Sequence, residues 1–311
     1  MMEDWARWKK RLRFRHLQVL LLLHETRNMS RTAEVLGMTQ PALTKWLREL
    51  ESDMGVSLFE RHSRGLLPSA HCELLVARAR LVLNELDRTA EMLQELSEDG
   101  LHGRLRLGAT PIAMAGTLPA AIADFHGRHP RATITVSDGY LDLLIPRLKE
   151  GQLDLVVSVL EERDYGGGLS LQRLYEERFV VVAGSHHPLA RRKRVTWKDV
   201  VGYPWTAPPA TSPIRRELEQ ELALAHQPLP RFAAEVSSSM LVATLLERTS
   251  MLSLVSRQTA GYLQRSGSIR VLPLVSQRRS HVGVMWRKDQ ELGELERSLL
   301  AALRQASDAV A

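Results

Sequence analysis

The chain has 311 residues, 44% of them hydrophobic and 25% charged, with a formal net charge of +6. That length suits about two or three domains with a sizeable core, and the composition excludes a disordered or collagen-like chain. The single cysteine, Cys72, excludes an internal disulfide framework and a cysteine-cluster metal site, and it fits a reducing cytoplasm. The longest apolar runs, Val19–Leu23 and Phe179–Ala183, hold five residues each, whereas a membrane helix needs about 18. Residues 1–15 are basic, but no apolar core and cleavage site of secretory type follows, so a cytoplasmic location is expected. Charge is uneven along the chain. Residues 1–70 hold 12 Lys/Arg against 8 Asp/Glu, residues 71–102 hold 3 against 7, and the rest hold 27 against 21. Basic segments flanking an acidic one hint at a polyanion partner, and a plain solvated surface explains them equally well.

Taken in chain order, the first block runs to about Leu67 and reads as helices with short turns. Within Met29–Glu51, Ser30 is a candidate N-cap for a helix ending near Leu36. Gly37 can take the positive φ of a tight turn, Thr39 can cap the next helix, and Pro41 is tolerated in a first turn. At 100° per residue this second helix divides into two arcs. Leu43, Trp46, Leu47 and Leu50 share one, while Gln40, Pro41, Thr44, Lys45 and Arg48 share the other. Gln can pair with adenine, Lys with guanine, and Thr can meet a thymine methyl. A polar stripe alone is more often a solvated helix face; two short helices joined through a Gly turn favour a DNA reader.

A second block, about Ser69 to Leu96, is one helical pattern without Gly or Pro. Leu75, Ala79, Val82, Leu86, Thr89, Leu93 and Leu96 follow steps of four and three, the a/d seam of a heptad repeat. The competing reading is an amphipathic helix packed on its own domain. Cys72 reads as a small buried apolar residue rather than a redox sensor. Gly100 and Gly103 mark a hinge.

The third block alternates strand-like segments (Leu105–Gly108, Thr133–Val136, Leu153–Val159, Phe179–Ala183, Val282–Met285) with helix-like ones (Leu118–His126, Leu141–Glu150, Ile214–Ala225, Met240–Glu247, Leu292–Ala306). Such alternation predicts an α/β domain with mostly parallel strands, and about 210 residues suffice for two lobes. Clefts between such lobes collect strand C-termini and helix N-termini. Hydroxyls there, at Thr110, Thr211, Ser212 and Ser237–Ser239, suit an anion, with helix capping the alternative for each. The histidines at 126, 129, 186 and 187 lack a supporting carboxylate or cysteine pattern, so no metal is assigned. No G-x-S-x-G, H-E-x-x-H or Walker sequence is present, and neither an enzyme nor a cofactor is expected.

The run from Leu17 to Ser69 resembles the winged helix-turn-helix of LysR-type transcriptional regulators. The matches are Ala33, Leu36, Gln40–Leu43 (Q-P-A-L), Leu50–Glu51, Gly55–Arg61 (G-V-x-L-F-E-R) and Arg64–Gly65, with family spacing. Weaker matches follow at Gly103–Gly108, Gly151–Leu155, His187–Leu189 and Ser212-x-x-Arg215. The resemblance implies a winged helix-turn-helix domain at 1–68 and a dimerising linker helix at 69–99. It also implies a two-lobed α/β regulatory domain of periplasmic-binding-protein type at 103–311. Lobe I would hold about 103–175 and 278–311, and lobe II about 176–277. Carried over by position, Gln40, Pro41, Thr44 and Lys45 face bases, with Arg48 on the same face. Ser30 and Thr32 contact phosphate, and Arg61 and Arg64 approach the backbone or minor groove from the wing. Trp46 stands where the family usually has a polar residue, and packing explains it better than base stacking. The implied effector contacts are Thr110, Thr211, Ser212, Ser237 and Ser238, with Ile112 replacing a usual hydroxyl. The implied partners are double-stranded promoter DNA, a small anionic effector, further copies of the chain up to a homotetramer, and RNA polymerase. A solute carrier using only the bilobal part and an α/β enzyme are the competing readings; the reader helix argues against the first and the absent catalytic motifs against the second.

Overall fold

The computed structural model describes residues 12–62, 65–97, 103–161, 165–265, 267–276 and 278–308. The chain divides into two compact units, one holding the residues up to Ser97 and Glu150–Gln152, the other holding the rest. In the first, α1 (Phe14–Thr26), α2 (Met29–Val35) and α3 (Gln40–Met54) precede a hairpin of β1 (Phe59–His62) and β2 (Gly65–Pro68) and the long α4 (Ala70–Ser97). Leu20, Leu23, Ala33, Leu43, Leu47, Leu50, Leu58 and Phe59 form its core with Cys72 and Val76 of α4. The caps follow local hydrogen-bonding capacity. Asn28 Oδ1 accepts from Arg31 N at 3.1 Å, so α2 starts before the expected Ser30. Thr39 Oγ1 accepts from Ala42 N at 3.4 Å, Gly37 turns at φ +63° and Gly55 ends α3 at φ +67°.

Two contacts fix the wing. Glu51 Oε1, in the last turns of α3, accepts from Leu58 N at 2.7 Å and Phe59 N at 3.1 Å. At the hairpin's other strand, Leu66 N donates to Arg27 O at 3.0 Å. Gly65 lies so close that a Cβ there would sit 2.7 Å from Arg27 O, and its φ of +128° suits glycine alone.

The a/d seam of α4 divides. Ala79 is buried, and Leu75 packs on the unit's own core, as in an ordinary amphipathic helix. Further on, Val82, Leu86 and Leu93 are exposed, Leu93 at 63%. The side chain of Leu96 lies outside the described residues.

The second unit holds two five-stranded sheets. The first is built from β3 (Arg104–Ala109), β4 (Thr133–Asp138), β5 (Leu155–Leu160), β6 (Leu169–Glu177) and β12 (Ser280–Arg287), in the order β4-β3-β5-β12-β6. Its helices are α5 (Pro111–Ala115), α6 (Leu118–Arg128), α7 (Leu141–Lys149) and α12 (Glu294–Asp308). The second sheet joins β7 (Phe179–Gly184), β8 (Trp205–Ala207), β9 (Phe232–Glu235), β10 (Leu252–Ser256) and β11 (Ile269–Val275), in the order β11-β7-β10-β8-β9. It carries α8 (Trp197–Val200), α9 (Pro213–Leu224), α10 (Ser239–Arg248) and α11 (Arg257–Gln264). β7 and β10 are buried along their whole length, as strands covered on both faces must be.

The expectation of mostly parallel pairing needs correction. β3 pairs in parallel with β4 and β5, and β8 with β9 and β10, but β12 is antiparallel to β5 and β6, and β7 to β10 and β11. The reason is the double crossing between sheets. β6 leaves the first sheet where β12 enters it, with Glu177 opposite Ser280; β7 begins where β11 ends, with Val180 opposite Val275.

Buried carboxylates hold both crossings. Glu177 is 2% exposed, and its Oε1 accepts from Arg178 N at 3.0 Å and Arg257 N at 3.2 Å. Ser276 Oγ lies 2.8 Å from Glu217 Oε1 and 2.7 Å from Glu221 Oε1, and Arg278 N donates to Glu221 Oε1 at 3.1 Å. Burial pushes the Glu177 carboxyl from 4.5 up to about 7, against the opposing pull of the two amides and the Arg257 charge.

Two predictions follow from these contacts. Glu51→Ala should destabilise the N-terminal unit by about 1.5–3 kcal/mol, the range for hydrogen bonds to a charged group, with Glu51→Gln milder; equal denaturation midpoints for wild type and Glu51→Ala would refute the role. Because the folded chain keeps the Glu177 proton where the unfolded chain has lost it, stability should fall as pH rises from about 4.5 to 7. Glu177→Gln should remove this slope and stabilise the second unit at pH 8 by on the order of 1–3 kcal/mol, read from thermal melts across pH.

Candidate nucleic-acid interface and ligand cleft

The sequence of α3 sorts its side chains by solvent preference. Leu43, Leu47 and Leu50 are buried, Gln40, Pro41, Lys45 and Arg48 are exposed, and Thr44 is half-buried. An open groove of about 880 Å³ runs beside the polar face. Trp46 meets His16 edge-on, with ring centroids 6.0 Å apart, and so packs within its own unit. Burial, then the nearby Arg13 and Arg15 charges, holds His16 below its ordinary value, which keeps that partner uncharged at neutral pH.

The flanking candidates divide. Ser30 is exposed in the first turn of α2. Thr32 is 0% exposed; its hydroxyl donates to Asn28 O at 2.8 Å and contacts Thr26 Oγ1 at 2.5 Å. The expected phosphate contact of Thr32 is corrected accordingly: its hydroxyl is spent inside the fold. Arg61 lies in β1, paired with Leu66, but its side chain and all of Arg64 lie outside the described residues.

The second unit carries a narrow cleft with about 40 Å³ of free space between its walls. Thr110 follows β3, Ser158 lies in β5, and Ser212, Ser237, Ser239 and Ser256 stand at or beside the N-termini of α9, α10 and α11. Capping and ligand contact can now be told apart hydroxyl by hydroxyl. Ser212 Oγ accepts from Ile214 N at 3.3 Å and caps α9 while lining the cleft. Ser238 Oγ is taken up by Leu241 N at 3.4 Å and does not line it. Thr211 is exposed, with its hydroxyl 3.5 Å from Asp142 Oδ2, and also stays out of the wall. These two expected contacts are corrected for that reason. Thr110 makes no capping bond, and its Oγ1 is buried without a hydrogen-bond partner, as is Ser158 Oγ. Ser237 lines the cleft near Tyr140, whose phenol burial pushes upward while the Ser237 and Ser212 hydroxyls pull it down. Ser158 escaped the sequence reading because it lies inside a strand, and Tyr140, just before α7, because its phenol is not a helix-capping hydroxyl.

The remaining chemistry-bearing residues have structural partners. His129 Nε2 lies 2.8 Å from Ser298 Oγ, His186 Nε2 lies 3.2 Å from Thr249 O, and His187 Nδ1 accepts from Leu189 N at 3.1 Å. Among the described residues no group of three or more His, Cys, Asp or Glu is placed to hold a metal. Burial, then Glu73 and Glu51, pushes the Cys72 thiol up to about 12, so it is a packing residue without thiolate character. Among the described residues, no helix is long and apolar enough to cross a membrane.

Comparison with known proteins agrees with this geometry. Residues 14–73 match the family model "Bacterial regulatory helix-turn-helix protein, lysR family", and residues 98–308 match "LysR substrate binding domain". The HTH-type transcriptional regulator GbpR of Azospirillum brasilense is 32% identical over 97% of this chain and 90% of its own. The HTH-type transcriptional regulator GalR of Pseudomonas putida is 33% identical over 94% of this chain and 73% of its own. The crystal structure of full-length CbnR complexed with its target DNA has a similar fold, with a TM-score of 0.68 at 21% identity, covering 95% of this chain and all of that one. The chain belongs to the LysR family: it is a LysR-type DNA-binding transcriptional regulator with an effector-binding domain, and not an enzyme.

Proposed function

We propose that Gln40, Pro41, Thr44 and Lys45 read base edges in a major groove while Ser30, Arg48, Arg61 and Arg64 hold the DNA backbone. A small anionic effector in the cleft, touching Thr110, Ser212 and Ser237, shifts DNA affinity or bending. The carrying observation is the polar face of α3, exposed above a leucine underside that leaves it no other direction. The exposed Val82, Leu86 and Leu93 of α4 suit pairing of chains into a homodimer, and the family suggests a homotetramer. Two paired readers would meet two half-sites. RNA polymerase as a partner and a cytoplasmic location belong to the same reading. The effector acts only through a difference in affinity between two states of the protein.

Gln40→Ala should cost about 1–3 kcal/mol of binding on the operator and relax preference at one base pair, as measured by competition among single-base operator variants. Uniform weakening on every sequence would reassign Gln40 to the backbone. Thr110→Val should blunt the effector response in a binding assay and leave operator affinity nearly intact; equal loss of both would mean that the residue serves the fold.

A further inference from the structure

We propose that the ion pair between Arg216 and Glu161 is a latch that holds the cleft shut and must open before a small molecule can enter. Its regulatory meaning rests on the reading of the cleft as the effector site; the closure itself does not. Three contacts join elements of the first sheet to the second sheet's connections. Glu161, directly after β5, is ion-paired with Arg216 in the first turn of α9. Asp142 Oδ2, in the first turn of α7, lies 3.5 Å from Thr211 Oγ1. The Tyr140 phenol, just ahead of α7, lies against the Ser212 and Ser237 hydroxyls. Ser212, Pro213 and Ile214 line the cleft, so these contacts clamp a stretch that forms one of its walls. The closure is tight. The free space is about 40 Å³, whereas one water takes about 30 Å³ of the liquid and small-molecule sites hold about 300–1,000 Å³.

Of the three contacts, the ion pair has the strength of a latch. The Thr211 contact is long for an O–H···O bond, and the Tyr140 contacts join uncharged hydroxyls. Arg216 and Glu161 are charged on both sides, which makes their hydrogen bond the strongest kind. Both partners are held in place. Glu161 N donates to Tyr165 Oη at 2.9 Å, and Arg216 Nη1 donates to Thr211 O at 3.0 Å. The Glu161 side chain is 12% exposed and that of Arg216 39%, so the pair is partly shielded and outweighs an ordinary surface ion pair. A ligand can bind only the unlatched fraction, and its apparent dissociation constant is the intrinsic one divided by that fraction. An occupant that keeps α9 away from β5 in turn holds the latch open. Filling of the cleft is thereby coupled to a displaced α9.

The test places a thiol inside the shut cleft of the full chain. Ser158→Cys puts one on a cleft wall at a position that is 0% exposed, and Val181→Cys puts one in the core of β7, away from the cleft. The native Cys72, buried, is the standard for the first unit. Labelling by iodoacetamide is followed site by site with peptide mass spectrometry. Arg216→Gln and Glu161→Gln should each speed labelling of the Ser158→Cys thiol about 10-fold, the weight of one charge-assisted hydrogen bond, and leave the Val181→Cys and Cys72 thiols unchanged. Thr211→Val should change the rate less than about 2-fold. Unchanged labelling of the cleft thiol in both charge variants overturns the latch, and so does equal acceleration at Val181→Cys, which would mean a loosened fold. Acceleration by Thr211→Val as large as by Arg216→Gln overturns the assignment to the ion pair. Operator affinity of the labelled Ser158→Cys chain separates this proposal from the effector reading: gated labelling with operator affinity unmoved supports the latch and removes the cleft as the effector site.

Discussion

Three leucines decide where α3 can face. Leu43, Leu47 and Leu50 lie on one side of the helix and are buried among Leu20, Leu23, Leu58 and Phe59. Burying a leucine is worth about 1.5–3 kcal/mol, so rotating the helix to hide its polar side would forfeit most of the small domain's core energy. Gln40, Lys45 and Arg48 are therefore presented outward by default, at no further cost. Glu51 extends the same constraint beyond the helix. Its carboxylate stands near a helix C-terminus, where the dipole disfavours it, yet it satisfies two amides at the start of β1. The wing is thus registered to the reader by a charged hydrogen-bond acceptor, and the Arg27 carbonyl against Gly65 registers it from the other side.

In the second unit, rigidity is concentrated where the chain crosses between sheets. A hinge must bend without shearing, and each crossing is held by a buried carboxylate. Glu177 ties β6 to the start of α11, and the Glu217–Glu221 pair ties α9 to Ser276 and Arg278. These contacts allow few alternatives, because a displaced crossing would strand a carboxylate in an apolar interior. The cleft hydroxyls come from both sheets: Thr110 follows β3, Ser158 lies in β5, and Ser212 and Ser237 come from the second sheet's connections.

Much of the first unit was legible because its signals are local. The two arcs of α3, the Thr39 cap and the Gly37 turn each depend on neighbours within four residues, and so they read directly. Competition among local candidates was not legible. Asn28 and Ser30 can both cap α2, and the bond that Asn28 Oδ1 accepts from Arg31 N shows that the helix begins at the earlier one. The strand directions, the hinge carboxylates and the wing contact of Glu51 were invisible for a different reason. Their partners lie 7 to 80 residues away, and no periodicity encodes them. The resemblance supplied the two-lobed architecture, but it could not say which hydroxyls a helix would claim.

That last distinction carries the chemistry of the cleft. Ser212, Ser238 and Ser256 each accept a bond from a helix-start amide, and the hydroxyl that remains can serve a ligand only in competition with its own helix. Thr110 is excused from this competition. Its side chain makes no capping bond to α5, although Ser212, which likewise precedes a proline, does cap its helix. Thr110, at the end of a buried strand, keeps its hydroxyl unspent, and the fold holds it desolvated. Burying an unsatisfied hydroxyl costs about 1–3 kcal/mol, and a fold bears that cost where an occupant returns it. Thr110 is thus set apart, by the absence of any capping bond, from the neighbouring hydroxyls that build helices.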